Sequence, residues 1–257
     1  APDDVKVLAD RIDLERRAKG VDAAVALAQS YARARPESVP RMIVYGDTQL
    51  LARQPTASAT YRQVWEKTKT SLTTTRLYAG LAQEGKDDEA LKIIKDWIAS
   101  HPSDYDARFL LANHYIRTGK TREAIAENEA ISAAFPENPA LLNNLAWLYA
   151  KEDSAKAIEL AERAYVLAPQ SPDVLDTLGW LRVSSSTDAA RGEALLRTAH
   201  EIAPERGDIG FHYATALSKN NKSSDAKAVL AKTLAGDRKF TERAEAQALF
   251  NKLSLVK

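Results

Sequence analysis

Five prolines mark time along this chain: Pro36, Pro102, Pro136, Pro169 and Pro204, the last four spaced by 34, 33 and 35 residues. The first gap is 66, close to two such steps with one proline missing. A period near 34 in a helical pattern is the signature of stacked helix–turn–helix units. Such units pack on their sequence neighbours and build an extended surface that holds partners, not a deep polar pocket for chemistry.

The clearest unit runs from Asp106 to Pro136. Its first helix carries Leu110, Leu111, Ala112 and Tyr115, and Gly119 stands where a helix end needs positive φ. Thr121 is placed to cap the second helix, with Glu123 in its first turn. That helix sets Ala124, Ile125, Asn128 and Ile131 at helical spacing and stops before Pro136. The next unit repeats the plan with Leu142, Leu145, Ala146, Tyr149, Ala157, Ala161 and Ala164. The one after it has Leu175, Leu178, Gly179, Gly192, Leu196 and Ala199. Small residues recur at two phases, Ala112, Ala146, Gly179 and Ala124, Ala157, Gly192, where paired helices must approach closely.

The outer units are weaker. The third keeps Leu77, Leu81, Gly85, Ala90 and Trp97, the second Tyr45 and Gly46, and the first Gly20 and Ala32. A seventh starts near Gly207 with Tyr213, Ala214 and Ala226. Phe240 to Leu253 follows as one amphipathic helix that covers the otherwise bare end of the array. The reading is all-α: about fifteen helices of roughly 12 to 16 residues, joined by short turns such as Ser184-Ser185-Ser186. Thr73-Thr74-Thr75 opens a helix.

The pattern resembles the tetratricopeptide repeat. The resemblance implies a right-handed α-solenoid of about seven such repeats plus a capping helix, in one superhelix over 1–257. The repeats fall at roughly 3–36, 37–70, 71–104, 105–138, 139–171, 172–206 and 207–238, and the capping helix at 240–253. The sequence departs from the family at Asn128, where an aromatic is usual, and at Arg182, where Tyr is usual. From Leu141 onward, the stretches LLNNLAWLYAKED, DVLDTLGWL, ARGEALLRTAHEIAP and FTERAEAQALFNKL are similar to one narrower family. These are the long tetratricopeptide lipoproteins that accompany PEP-CTERM/exosortase systems in Gram-negative bacteria. That resemblance implies a periplasmic or outer-membrane-associated protein of an exopolysaccharide or surface-protein export system, and this chain as its C-terminal portion.

Composition sets limits on function. Lys and Arg number 36 and Asp and Glu 35, so a general nucleic-acid binder, which needs a basic excess, is not expected. There is no cysteine, which removes disulfides and thiolate metal sites. No apolar run approaches the roughly 20 residues of a membrane span. The opening Ala-Pro-Asp-Asp enters a helical pattern without a signal peptide and reads as a mature form or an excised fragment.

Family geometry places the first helix of each repeat on the concave face. That puts Phe109, Asn113 and Arg117 there from the fourth repeat, then Asn143, Trp147 and Lys151, then Asp176, Trp180 and Ser184, then Phe211, Thr215 and Lys219. Trp147 and Trp180 are equivalent, and an aromatic ladder could grip apolar peptide side chains or stack on sugar rings. The plainer alternative is that both pack between helices. Asn113, Arg117 and Asn144 partly match a clamp for a peptide carboxylate, but paired cations do not recur in successive repeats. His101, His114, His200 and His212 lie in different helices, with no His-x3-His pair and no HExxH. Asp87-Asp88-Glu89 suits a helix start. No nucleophile elbow or phosphate loop occurs, so neither catalysis, a metal nor a cofactor is expected. The expected function is a non-catalytic scaffold for a protein or peptide partner. The alternatives are a self-assembling, homo-oligomeric module and direct polysaccharide binding along the groove.

Overall fold

Many helices of this chain begin or end on a residue whose side chain or backbone suits the task. A computed structural model, which describes residues 4–185, 188–235 and 239–255, has fifteen α-helices and no strand among the described residues. Ser186 and the repeat limits at 3 and 236–238 lie outside them.

The chain divides at Thr118/Gly119 into two compact units. The first holds α1 (Val5–Lys19), α2 (Val21–Ala34), α3 (Val39–Leu51), α4 (Ala57–Thr68), α5 (Ser71–Gln83), α6 (Asp87–Ser100) and α7 (Tyr105–Arg117). The second holds α8 (Thr121–Ala134), α9 (Pro139–Tyr149), α10 (Ser154–Leu167), α11 (Pro172–Ser185), α12 (Ala189–Ile202), α13 (Gly207–Lys219), α14 (Ser223–Ala235) and α15 (Arg243–Leu255). Within each unit consecutive helices pack as antiparallel hairpins. Odd helices also touch the next odd helix: α1, α3, α5 and α7 in the first unit, and α9, α11, α13 and α15 in the second. Among the described residues no two even helices do so. The odd helices of each unit therefore lie side by side and form a continuous face.

The caps follow from residue chemistry. Asp4, Asp104, Asn138, Asp153 and Asp188 accept first-turn N–H groups of α1, α7, α9, α10 and α12. Thr70 and Thr73 cap each other's backbone at the start of α5, so that helix opens at Ser71, just before the threonine run. Thr121 does not cap α8. It is the first helical residue, and Lys120 at the cap makes no side-chain bond.

Gly85 and Gly119 end α5 and α7 at φ 72°. The same left-handed station is held by Arg53 after α3 and Asn221 after α13. There the Gln54 N–H reaches the Gln49 carbonyl, and the Lys222 N–H reaches that of Leu217, each at 2.9 Å. This six-to-one bond closes the helix whichever residue supplies the positive φ. The missing proline of the second repeat has a similar substitute. Lys69, at φ 42°, ends α4 and sets its ammonium 5.6 Å from the Trp65 ring centroid.

The small-residue phases mark the closest helix crossing. A Cβ on Gly192 would lie 2.9 Å from the Gly179 carbonyl oxygen and 2.7 Å from Val183 Cγ2. Around this crossing Leu175, Leu178, Val183, Leu196 and Ala199 are fully buried. Each such leucine contributes about 2 kcal/mol. A second close approach lies between hairpins: a Cβ on Gly80 of α5 would lie 2.9 Å from the Ser58 backbone N of α4.

Polar bonds tie successive hairpins within each unit. Arg62 on α4 pairs with Glu89 on α6, and Lys156 on α10 with Glu129 on α8 at 2.7 Å. Arg191 on α12 pairs with Glu162 on α10 at 3.2 Å, and Lys222 with Glu193 on α12 at 2.6 Å. Glu84, in the turn after α5, accepts from the Ser58 N–H at 2.8 Å and so caps α4 from the next hairpin.

Burial alone would raise the Glu84 carboxyl, but bonds from Lys86 and Ser58 outweigh it and hold its pKa below the ordinary 4.5. Burial likewise opposes, and Lys222 and Asn220 overcome, the shift of Glu193. A lowered folded pKa stabilises the fold above the unfolded pKa, and that gain is lost as pH falls through the folded value. The urea midpoint should therefore be higher at pH 6 than at pH 3. In the Glu84→Gln, Glu193→Gln double variant that difference should shrink. An undiminished difference would place the acid sensitivity elsewhere.

Candidate functional site

The odd-helix face of the second unit carries the strongest concentration of aromatic and polar groups predicted to bind. On α9, Asn143, Trp147 and the following Lys151 recur every fourth residue and so share one face. Trp147 is 62% exposed, which sets aside the interhelical alternative for this residue. Lys151 and Asn144 are exposed. Asn143 is half-buried, and its Oδ1 has no hydrogen-bond partner among the described residues.

Trp180 on α11 differs from Trp147 although the two occupy equivalent positions. It is half-buried, and the His212 imidazole stacks on it with centroids 4.2 Å apart and planes at 22°. Asp176 holds that imidazole, with its carboxylate oxygens 2.9 and 3.0 Å from Nδ1. Phe211 lies at 9% exposure in the core cluster with Ala214, Leu217 and Leu230, 6.4 Å from the Trp180 centroid. Thr215 is half-buried and bonds back to the Phe211 carbonyl at 2.9 Å. Lys219 donates to the Val183 carbonyl at 3.0 Å and so closes the end of α11. Ser184 is exposed.

In the first unit, α7 presents Phe109, 45% exposed, together with exposed Asn113 and Arg117. Arg117 is engaged. Its Nη2 donates to Asp87 Oδ1 at 3.4 Å and lies 3.1 Å from Nδ1 of buried His114. Since a guanidinium can only donate, that Nδ1 accepts, and the Tyr78 hydroxyl sits 3.1 Å from it. Burial raises the Tyr78 pKa, with Arg117 opposing. Tyr78 fills the station held by Ala112 in the next repeat, and His114 is what the extra bulk meets.

Sequence reasoning missed His212 as the partner of Asp176 and Trp180, and Glu162 as the partner of Arg182. The two residues lie 36 and 20 positions away from the groups they hold. The repeat period itself was the available signal for His212, since 36 residues is about one repeat. Two clefts lined by described residues run from Pro36 to Lys67 and from Ser58 to Glu89, and neither of these two includes a predicted site residue. No cluster of three metal-ligating side chains occurs among the described residues, and none of their helices is long and apolar enough to cross a membrane.

Stacked helical hairpins with contacting odd helices define the class as a tetratricopeptide-type fold. The profile of the tetratricopeptide repeat family matches residues 81–148. The chain is similar to the C-terminal part of a TPR repeat-containing protein from Cytophaga hutchinsonii, with a TM-score of 0.66, 13% identity, and 93% of this chain and 98% of that one covered. It is similar to a tetratricopeptide repeat protein from Parabacteroides merdae, with a TM-score of 0.68, 10% identity and 97% and 98% coverage. It is also similar to a chain of the APC/C Cut9–Hcn1 hetero-tetramer, with a TM-score of 0.64, 14% identity, and 97% of this chain against 55% of that one. No curated protein matches the sequence significantly. The fold is thus of a kind typical of protein–protein interaction and generally non-catalytic.

Proposed function

We propose that this chain is a non-catalytic scaffold that engages a protein partner through the odd-helix face of its second unit. The observation that carries this reading is Trp147, an indole 62% exposed in the last turn of α9. A large apolar side chain held ready by its helix loses little entropy on binding, and one such anchor can dominate an interface. Trp180 plays a different part. With one ring face against His212 it offers less area, and it supports the shape of the face. The partner, on the resemblance of the residues from Leu141 onward, belongs to an extracytoplasmic export system for exopolysaccharide or surface proteins.

A photo-crosslinking side chain at position 147 should yield a protein adduct in cells of the source organism. The same group at Val166, which is 78% exposed on α10, should not. With the adducted partner purified, Trp147→Ala should weaken binding at least about tenfold, on the order of 1.4 kcal/mol or more. Adducts at 166 alone, or an affinity changed less than twofold, would move the interface off this face.

A further inference from the structure

His200 sits on α12 where its ring meets that of Tyr213 on α13, the two centroids 5.7 Å apart. Tyr213 belongs to two cores. It packs against Val183, Leu196 and Ala216, and against the cluster around Ala214, Leu230 and Ala246 that holds α13, α14 and α15 together. The imidazole therefore lies at the joint between the α11–α12 hairpin and the end of the array. Its Nδ1 is buried and has no hydrogen-bond partner among the described residues. A neutral ring tolerates this, because it can keep its proton on Nε2 and leave only a lone pair at Nδ1. The cation cannot. Both ring nitrogens then carry protons, and Nδ1 becomes a charged, buried donor without an acceptor.

The surrounding charges do not relieve the cation. Burial, with repulsion from Lys232 of α14 adding to it, holds the His200 pKa below the ordinary 6.5, and the attraction of Glu201 on its own helix is the weakest influence. Glu201 also lies 4.0 Å from Arg197. Other charged groups on the adjoining elements are engaged elsewhere. On α11, Asp173 meets Arg206, Asp176 meets His212 and Arg182 meets Glu162. On α13, Arg206 also holds Asp208, and Lys219 donates to the Val183 carbonyl. Toward the start of α12, Asp188 caps the helix, Arg191 meets Glu162, and Glu193 meets Lys222. On α14, Asp225 is in the first turn, at the opposite end from Lys232, and the Lys227 ammonium lies 6.0 Å from the Phe250 centroid.

We propose that His200 is an acid-sensitive latch: when the imidazole takes a proton, the joint of α12 with α13 loosens around Tyr213 while the rest of the second unit stays folded. The unlatched chain binds the proton first, so the stabilisation is whole above pH 6.5 and is lost as pH falls below it. Two ties keep the joint from coming apart. A carboxylate can only accept, so His212 Nδ1 carries its proton toward Asp176 in the neutral ring and in the cation alike. Against the pull of burial, Lys222 and Asn220 hold the Glu193 pKa below the ordinary 4.5, so that tie outlasts the latch.

Hydrogen exchange of the full chain at pH 7.5 and 5.5, corrected for the intrinsic rate, reads the opening. Amides of α13 and of the second half of α12 should lose protection by about threefold or more, and linkage caps the loss near tenfold one pH unit below the ordinary imidazole value. Amides of α9 and α10 should not change. His200→Phe keeps an apolar ring on Tyr213 and His200→Gln keeps a polar group. Both should abolish the pH difference, whichever is the better folded. Lys232→Gln should reduce it, because removing the repulsion raises the imidazole pKa, a result that general destabilisation would not produce. His101→Gln, in the first unit, should leave it intact. An NMR titration should find the His200 ring protonating below pH 6.5. A ring that titrates at or above that value, a loss of protection spread evenly over α9 to α15, or a pH difference that survives both His200 substitutions would overturn the proposal.

Discussion

Valine in place of Gly192 should open the α11–α12 hairpin and lower stability by about 3 kcal/mol. The added Cβ would sit 2.9 Å from a backbone oxygen, that of Gly179, and 2.7 Å from Val183 Cγ2. A flexible side chain could swing away, but a carbonyl inside a helix cannot move without shifting α11. Alanine is the sharper comparison. It gains about 1 kcal/mol over glycine in helix propensity, so any net loss in Gly192→Ala must come from the crossing. The expectation is that alanine is still destabilising and valine more so. Hydrogen exchange should show the loss of protection in α11 and α12, with the amides of α3 to α5 unchanged, because such arrays respond to substitutions locally. A Gly192→Ala variant more stable than the parent would mean that the helices part at no cost.

That crossing was legible because it is written in residue size. Ala112, Ala146 and Gly179 recur one period apart, and a phase that tolerates only small side chains needs no knowledge of the partner helix. Helix ends were legible where glycine or proline sets the backbone, as at Gly85 and Gly119. They were obscure where Arg53 and Lys69 adopt positive φ, since neither residue type favours it, and only the surrounding bonds hold them there. Tyr78 departs from the small-residue phase, and its hydroxyl is met by His114 Nδ1 at 3.1 Å, one period later in the chain.

The candidate site divides the same way. Its positions followed from the period, but exposure did not. Trp147 and Trp180 look alike in sequence and differ in space because His212, held by Asp176, covers one of them. A pairwise bond between side chains a full repeat apart leaves no mark on hydrophobic periodicity.

Arg182 shows what such unseen bonds are worth. It stands where the repeat pattern usually has tyrosine, and its side chain is only 14% exposed. Glu162 on α10 receives it and also pairs with Arg191 at 3.2 Å. The two partners are not equally dependent. Without Glu162, Arg182 keeps only Asp188, at 3.9 Å, and its Nε already lacks a partner among the described residues. Without Arg182, Glu162 keeps Arg191 and is more open to water. Leaving a charge uncompensated in the interior is the costly event, and replacing both partners by apolar groups can be nearly neutral. Glu162→Leu should therefore cost about 2 kcal/mol, discounted from the fully buried case because the pair is partly solvated, and Arg182→Tyr about 1 kcal/mol. The Glu162→Leu, Arg182→Tyr double variant restores the usual aromatic and should lie close to the parent. Urea unfolding of all four proteins gives the cycle. A double variant that loses the sum of the two singles would mean that the two residues are not coupled across the α10–α11 contact. A double variant near the parent would mean that its cost is only that of leaving one charge behind.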